Sequence, residues 1–301
     1  MRSLFGPVYS RRLGLSLGVN LFKENICSYD CVYCECGRTK VLTTKRDEYF
    51  ELNDVLFEIK QYLSENCLKI DHITFSGRGE PTLYLYIEKL LEEIKRFPVA
   101  SALLTNSSLL NDKEVRKSIL GFDVIMPTIS TVDQNQFNTI HRPAKGIRLF
   151  DILEGVKVFS KMYRGLFIPE IMIIKDVNDS EKSLAGLIEY IKELDYKGCH
   201  LNTIVRPAAY SDYKGINKEE INRIKNFLEK NDIRCIDADS AISKAKIGYS
   251  DERLINTLLV RPVHESDIKS IFKDPQIAIV GINKLLDNHS INKEKGFFKI
   301  S

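Results

Sequence analysis

No stretch of the sequence approaches the roughly 18 consecutive apolar residues that a membrane-spanning helix needs, so no such helix is expected. The opening Met1-Arg2-Ser3-Leu4-Phe5-Gly6-Pro7 lacks the apolar core of a secretory signal, which makes the cytosol the expected compartment. An excess of one charge is also missing: the formal net charge is only +3. That permits a nucleic-acid partner without arguing for one, because dedicated binders usually concentrate basic residues on one face. Basic and acidic residues nearly balance over 250–301, so that segment carries no electrostatic footprint for duplex DNA. Internal repeats and low-complexity tracts are absent too, which excludes solenoids and repetitive linkers.

What is present suits a folded globular chain. Apolar residues make up 44% of the 301, and charged residues of both signs 28%. A sizeable core can be buried, either in one large domain or in a main domain with a small appendage. Seven cysteines in a cytosolic chain are more readily ligands, redox groups or buried thiols than disulfides.

Short β-branched runs at Ile73–Phe75, Ala102–Leu104, Val124–Met126, Ile171–Ile174 and Leu201–Ile204 read as strands. Stretches of helical period lie between them, at Leu52–Leu63, Leu85–Ile94, Lys113–Leu120, Phe150–Met162, Ser183–Leu194 and Lys218–Leu228. With a first strand near Gly18–Leu21, six βα units result. The expected fold is therefore α/β, a partial (β/α)6 TIM-like barrel over residues 1–237. The pattern changes after Asp237. Helices at Glu252–Leu259, Glu265–Phe272 and Ile277–Leu286, then a strand near Gly296–Ile300, suggest a small C-terminal helical, winged-helix-like domain over 238–301. In such barrels the chemistry sits at the C-terminal ends of the strands.

Just after the first strand comes Cys27-Ser28-Tyr29-Asp30-Cys31-Val32-Tyr33-Cys34. Three thiolates so close in sequence can converge on one inorganic centre if the loop curls round it. Four Cys normally fill a [4Fe–4S] cluster; three leave one iron open for a ligand. A structural zinc site with Cys36 as fourth ligand is the competing reading, but such sites usually pair two separated knuckles. Buried core thiols are a third reading, and the polar neighbours Asn25, Ser28, Asp30, Glu35 and Arg38 argue against it.

This Cys-x-x-x-Cys-x-Tyr-Cys loop resembles the radical S-adenosylmethionine (SAM) superfamily. The preceding run Pro7-Val-Tyr-Ser-Arg-Arg-Leu-Gly-Leu-Ser-Leu-Gly-Val-Asn20 is similar to its Fe–S oxidoreductase subgroup, often grouped with wyosine (tRNA base) synthases. The resemblance implies Cys27, Cys31 and Cys34 as cluster ligands, a [4Fe–4S] cluster and SAM as cofactors, and a low-potential electron donor of flavodoxin or ferredoxin type. It implies SAM cleavage to a 5′-deoxyadenosyl radical that abstracts hydrogen from a substrate.

The loop Ser76-Gly77-Arg78-Gly79-Glu80-Pro81-Thr82 follows the second strand. Its glycines allow close backbone approach, and Glu80 offers a carboxylate. By resemblance Gly77, Gly79, Glu80 and Pro81 receive the amino group of SAM, with Arg78 a departure from the family pattern. Asn106 ends the third strand, as a ribose or carboxylate contact or as a turn residue. Ser130 and Asp133 follow the fourth; the resemblance places a ribose contact here, while Asp133 can instead cap the next turn. His141 reads as a loop proton carrier or a structural hydrogen-bonder. Arg206 reads as an anion contact or a surface ion pair. Cys36 stands apart as a candidate resolving thiol, hydrogen donor or spectator. The substrate is left between a tRNA base and a peptide or protein, and a non-enzymatic zinc-binding interaction module is the alternative of another class.

Overall fold

Leu4–Ser10 carries a glycine and a proline amid its apolar residues and nevertheless forms a strand, β1. It pairs antiparallel with β2 (Gly14–Val19), with a register shift between Phe5 and Val8, so Gly6 and Pro7 sit where the ladder is interrupted. The computed structural model describes residues 3–10, 12–236 and 248–301. Two short parallel strands, β3 (Ile26–Cys27) and β4 (Val41–Leu42), bracket the cysteine loop. From β2 the sheet continues in parallel through β5 (His72–Phe75), β6 (Ala100–Thr105), β7 (Val124–Pro127) and β8 (Leu166–Phe167), in the order β1-β2-β5-β6-β7-β8.

A second parallel sheet holds β9 (Glu170–Ile173), β10 (Cys199–Thr203) and β11 (Cys235–Ile236), in the order β11-β10-β9. A parallel bridge between Thr128 and Glu170, with Ile129 N donating to Glu170 O at 2.9 Å, joins it to the end of β7. The two outer strands, β1 and β11, do not pair, so the array is an incomplete barrel. Every residue of β2 is buried, as befits a strand with neighbours on both sides and cover on both faces. The expected first strand at Gly18–Leu21 is displaced to Gly14–Val19, because pairing with β1 and β5 carries it back to the hairpin.

Helices α1 (Leu52–Asn66), α2 (Ile87–Ile94), α3 (Lys113–Ser118), α4 (Gln134–His141), α5 (Leu149–Met162), α6 (Glu181–Lys192) and α7 (Lys218–Lys230) lie between the strands. The longer ones present a narrow apolar stripe; on α1 it is Val55, Ile59 and Leu63, one turn apart. Their starts are written in side chains: Asp112 caps α3, Ser180 caps α6, and Asn217 with Glu220 forms a capping box on α7. Helix α4 was not foreseen. Its sequence is rich in Asn, Gln and Thr, and only Phe137, Ile140 and His141 are buried, so periodicity is weak. His141 consequently belongs to the last turn of a helix, not to a loop.

The C-terminal unit comprises α8 (Asp251–Leu258), β12 (Val263–His264), α9 (Glu265–Ile271), α10 (Pro275–Asp287), β13 (Ile291–Glu294) and β14 (Phe297–Ile300). Its strands form a separate antiparallel sheet in the order β12-β14-β13, the helix-then-hairpin arrangement of a winged helix. Lys295 and Gly296 have φ of 50° and 81°, which suits the tight turn that joins β13 to β14. The unit has its own apolar core around Leu258, Ile268, Phe272, Ile282 and Leu285. Its expected boundary at 237/238 lies outside the described residues. No helix among the described residues is long and apolar enough to cross a membrane.

Candidate iron–sulfur and cofactor site

The cysteine loop is anchored on three sides. Ile26 N donates to Arg78 O at 3.0 Å, which lays β3 against the 76–82 loop. The approach is so close that a Cβ on Gly79 would stand 1.9 Å from Ile26 O. Gly77 has φ of +131°, and a Cβ there would meet Asn20 Oδ1 at 2.7 Å. These two glycines are therefore required by the backbone. Asp30 N and Val32 N donate to His141 O and Ile140 O at 3.0 and 2.9 Å, tying the loop to the end of α4. Arg78 Nε donates to Asn25 Oδ1 at 2.8 Å and its Nη1 to Lys23 O at 3.2 Å, so this departure from the family pattern braces the loop.

Each of the three ligand candidates has its own surroundings. Asn106 Nδ2 donates to Cys27 Sγ at 3.4 Å and to Ser28 Oγ at 2.9 Å. His141 Nδ1 lies 3.4 Å from Cys31 Sγ, in a ring cluster with Tyr29, Tyr33 and Phe137. Burial pulls His141 down to about 3, so its imidazole is neutral at physiological pH. Burial, and then Glu80, push the Cys27 thiol up to about 12, and burial with the neighbouring thiols raises Cys31 well above the ordinary range. Cys34 runs the other way, lowered chiefly by a hydrogen bond from Cys36. Thiols buried together are costly to ionise unless a metal centre takes the charge, which is what a cluster does.

The Cys36 sulfur lies 3.0 Å from Gly77 O and 2.9 Å from Val260 O, two acceptors that compete with Cys34 for its single S–H. It links the cysteine loop, the 76–82 loop and the C-terminal unit. Among the described residues, no three His, Cys, Asp or Glu side chains gather closely enough to hold a single metal ion.

Glu80 differs most from its expected role. Only 2% of it is exposed. Its Oε1 accepts from Thr82 N, Thr82 Oγ1 and Thr105 Oγ1 at 3.1, 2.7 and 2.7 Å, and its Oε2 from Asn106 N at 2.7 Å. Burial raises its pKa above the usual carboxylate range although all of these bonds oppose the rise. The carboxylate is thus a hub joining the start of a short 3₁₀ turn at Pro81–Leu83 to the end of β6.

Ser130 is 3% exposed, and its Oγ has no hydrogen-bond partner. It lines a narrow cleft with Asn106, Thr131, His141 and Tyr29, whose hydroxyl is likewise buried and unpartnered. The space they share is only about 10 Å³, room for one water and not for a ribose. Asp133 instead caps α4, with Oδ1 accepting from Asn135 N and Gln136 N at 2.8 and 2.9 Å. Asn178, which with Asp179 reads from the sequence as a helix cap or a cofactor contact, has a bracing role instead. Its buried side chain donates to Ser130 O and Met172 O, both at 2.8 Å, fixing the end of β7 to β9.

A cavity of about 270 Å³ opens beside Tyr33, Cys34, Cys36 and Gly77 and runs into the barrel interior. Arg206 lies inside it, its Nη1 3.0 Å from Glu35 Oε1, so it is no surface pair. Arg12 and Glu170 form a second ion pair in its wall.

The chemistry of these thiols suits a three-thiolate cluster, and comparison with known proteins gives the family. The chain is 35% identical over 298 residues to UPF0026 protein MJ1312 of Methanocaldococcus jannaschii, a match covering 97% of this chain and 93% of that protein. Among solved structures it resembles Streptococcus suis SuiB bound to precursor peptide SuiA, with a TM-score of 0.58 at 16% identity, covering 90% of this chain and 61% of that one. It also resembles TYW1 with a lysine–pyruvate adduct bound, with a TM-score of 0.54 at 16% identity, covering 72% of this chain and 73% of that one. The model of the Radical SAM superfamily matches residues 24–205. The chain belongs to the radical SAM superfamily, and its cofactors are a [4Fe–4S] cluster and S-adenosylmethionine.

Proposed function

We propose that Cys27, Cys31 and Cys34 hold the cluster and that the protein cleaves SAM reductively to abstract hydrogen from an organic substrate. The observation that carries this reading is the bracing of the cysteine loop against Gly79, which sets three enclosed thiols beside the 76–82 loop. When bound, the cluster supplies the electron that splits the sulfonium bond of SAM, releasing methionine and the 5′-deoxyadenosyl radical.

The chain's own residues do the rest. Asn106 orients Cys27 and donates a hydrogen bond to its sulfur, and neutral His141 packs Cys31 away from water. Glu80 fixes the loops that form the SAM contact. Asn106 is the ribose contact in this reading, the buried Ser130 lies beside it, and Asp133 acts by placing α4. An external one-electron donor of low potential completes the reaction. Residues 1–237 form the catalytic barrel and 238–301 its appendage. The seven free cysteines and the cluster suit a reducing cytosol.

The test is anaerobic reconstitution followed by electron paramagnetic resonance of the reduced protein, with and without SAM. The expected result is a [4Fe–4S]⁺ signal that shifts with SAM, together with 5′-deoxyadenosine, both lost in Cys31→Ala. A colourless protein carrying one zinc and releasing no 5′-deoxyadenosine would sink the reading and favour the interaction module. RNA that co-purifies and dissociates with salt would select the tRNA base over the peptide as substrate.

A further inference from the structure

The incomplete barrel leaves a side open between the β1–β2 hairpin and the β9–β11 sheet, and the C-terminal unit lies there. Val260 packs on Phe5 and Val8 of the hairpin, and its carbonyl receives the Cys36 thiol at 2.9 Å. The next residue, Arg261, lines the same cavity as Arg12 and Arg206. Three guanidinium groups therefore face two carboxylates, Glu35 and Glu170, which are already paired with Arg206 and Arg12. Arg261 has no ion-pair partner among the described residues, and its Nε is buried with no hydrogen-bond partner. Burial, and after it the Arg206 charge, pull Arg261 down to about 10; Glu35 and Asp267 offset this only in part. A guanidinium held in this way wants an anion, because its donors match a planar carboxylate or a phosphate.

We infer that the wall formed by Arg261, Arg206 and Arg12 binds an anionic group, carboxylate or phosphate, on the substrate. The inference rests on the radical reading only for what happens next. The cavity runs from these arginines to Cys34 and Gly77, with Tyr33, Leu104 and Met172 as its apolar lining. An anion anchored at the arginines orients the rest of the molecule toward the cluster end, where a hydrogen atom would be taken. The C-terminal unit is then part of the substrate site, since of the three arginines lining the cavity it supplies the one without an ion-pair partner among the described residues.

The test uses the full chain, with and without its cluster, titrated calorimetrically with inorganic phosphate and with succinate. The wild type should bind at least one of the two, more weakly as salt rises, and the stronger of the two identifies the anion. Arg261→Gln should weaken that binding at least tenfold, Arg261→Lys less, and Lys284→Gln, which removes a surface charge on α10, not at all. A thermal melt of each variant separates lost binding from lost folding, and Arg261→Lys keeps the test open if Arg261→Gln does not fold. Saturable anion binding that is equal in Arg261→Gln and wild type would overturn the inference, as would no saturable binding in the wild type. So would a loss of SAM affinity in Arg261→Gln matching the loss of anion affinity, because the arginine would then serve the cofactor. Anion binding that persists while the reconstituted, reduced protein given SAM forms no 5′-deoxyadenosine would sink the radical reading alone.

Discussion

Replacing Glu80 by alanine removes the acceptor shared by Thr82 N, Thr82 Oγ1, Thr105 Oγ1 and Asn106 N, all within 3.1 Å. The two backbone amides cannot turn away, and leaving a buried donor unsatisfied costs about 1–3 kcal/mol. The hydroxyls can rotate, and water entering the vacated volume recovers part of the loss. Removing the carboxylate also ends its own desolvation penalty. The net expectation is a destabilisation of about 3–5 kcal/mol. At about 2–4 °C per kcal/mol for a chain of this size class, the melting temperature falls by roughly 6–20 °C. The assay is anaerobic calorimetry on wild type and Glu80→Ala, with SAM affinity measured on the same samples below the lower transition. An unchanged melting temperature with collapsed SAM affinity would refute the hub and restore a direct ammonium contact as the whole of its role.

Gly79→Ala should displace β3, since the added Cβ falls 1.9 Å from Ile26 O; iron content after reconstitution should drop sharply, and full loading would contradict the close approach. Asn106→Ala removes a hydrogen bond to the Cys27 sulfur, so the cluster potential in a redox titration should move to more negative values. The Glu80 carboxyl has a folded pKa raised by burial, so its contribution is fully present below its unfolded value and is lost as pH rises through the folded one. Cluster-free wild type should therefore show a falling stability across that window, measured by urea unfolding, that Glu80→Gln lacks.

The parts of this site that the sequence revealed are those whose chemistry is local. Three cysteines close together, and Gly77 and Gly79 before Glu80, declare themselves because one short loop must do each job. The βα alternation is equally local, since most helices carry their own apolar stripe and several, such as α3, α6 and α7, their own cap. What stayed hidden depends on distant partners. β1 is masked by Gly6 and Pro7, and only its pairing with β2 shows it to be a strand. His141 reads as an isolated loop residue until α4 carries it to Cys31. Glu80 looks like a ligand for an external cation, and the donors that occupy it come partly from β6. Arg261 offers no signal at all, because its meaning lies in where the C-terminal unit rests.

The Cys36 thiol, shared between the carbonyls of Gly77 and Val260, also has a temporal meaning. Synthesis proceeds from the N-terminus at about 5–20 residues per second, and early segments can fold as they emerge. The sulfur ligands and the 76–82 loop leave the ribosome long before residue 260 does. For an interval on the order of ten seconds or more, the nascent barrel has its ligands in place and one flank uncovered. Once Val260 settles on Phe5 and Val8 beside the Cys36 thiol, that flank becomes a wall, so under the proposed function a cluster inserted before then would meet a more open site than one inserted after.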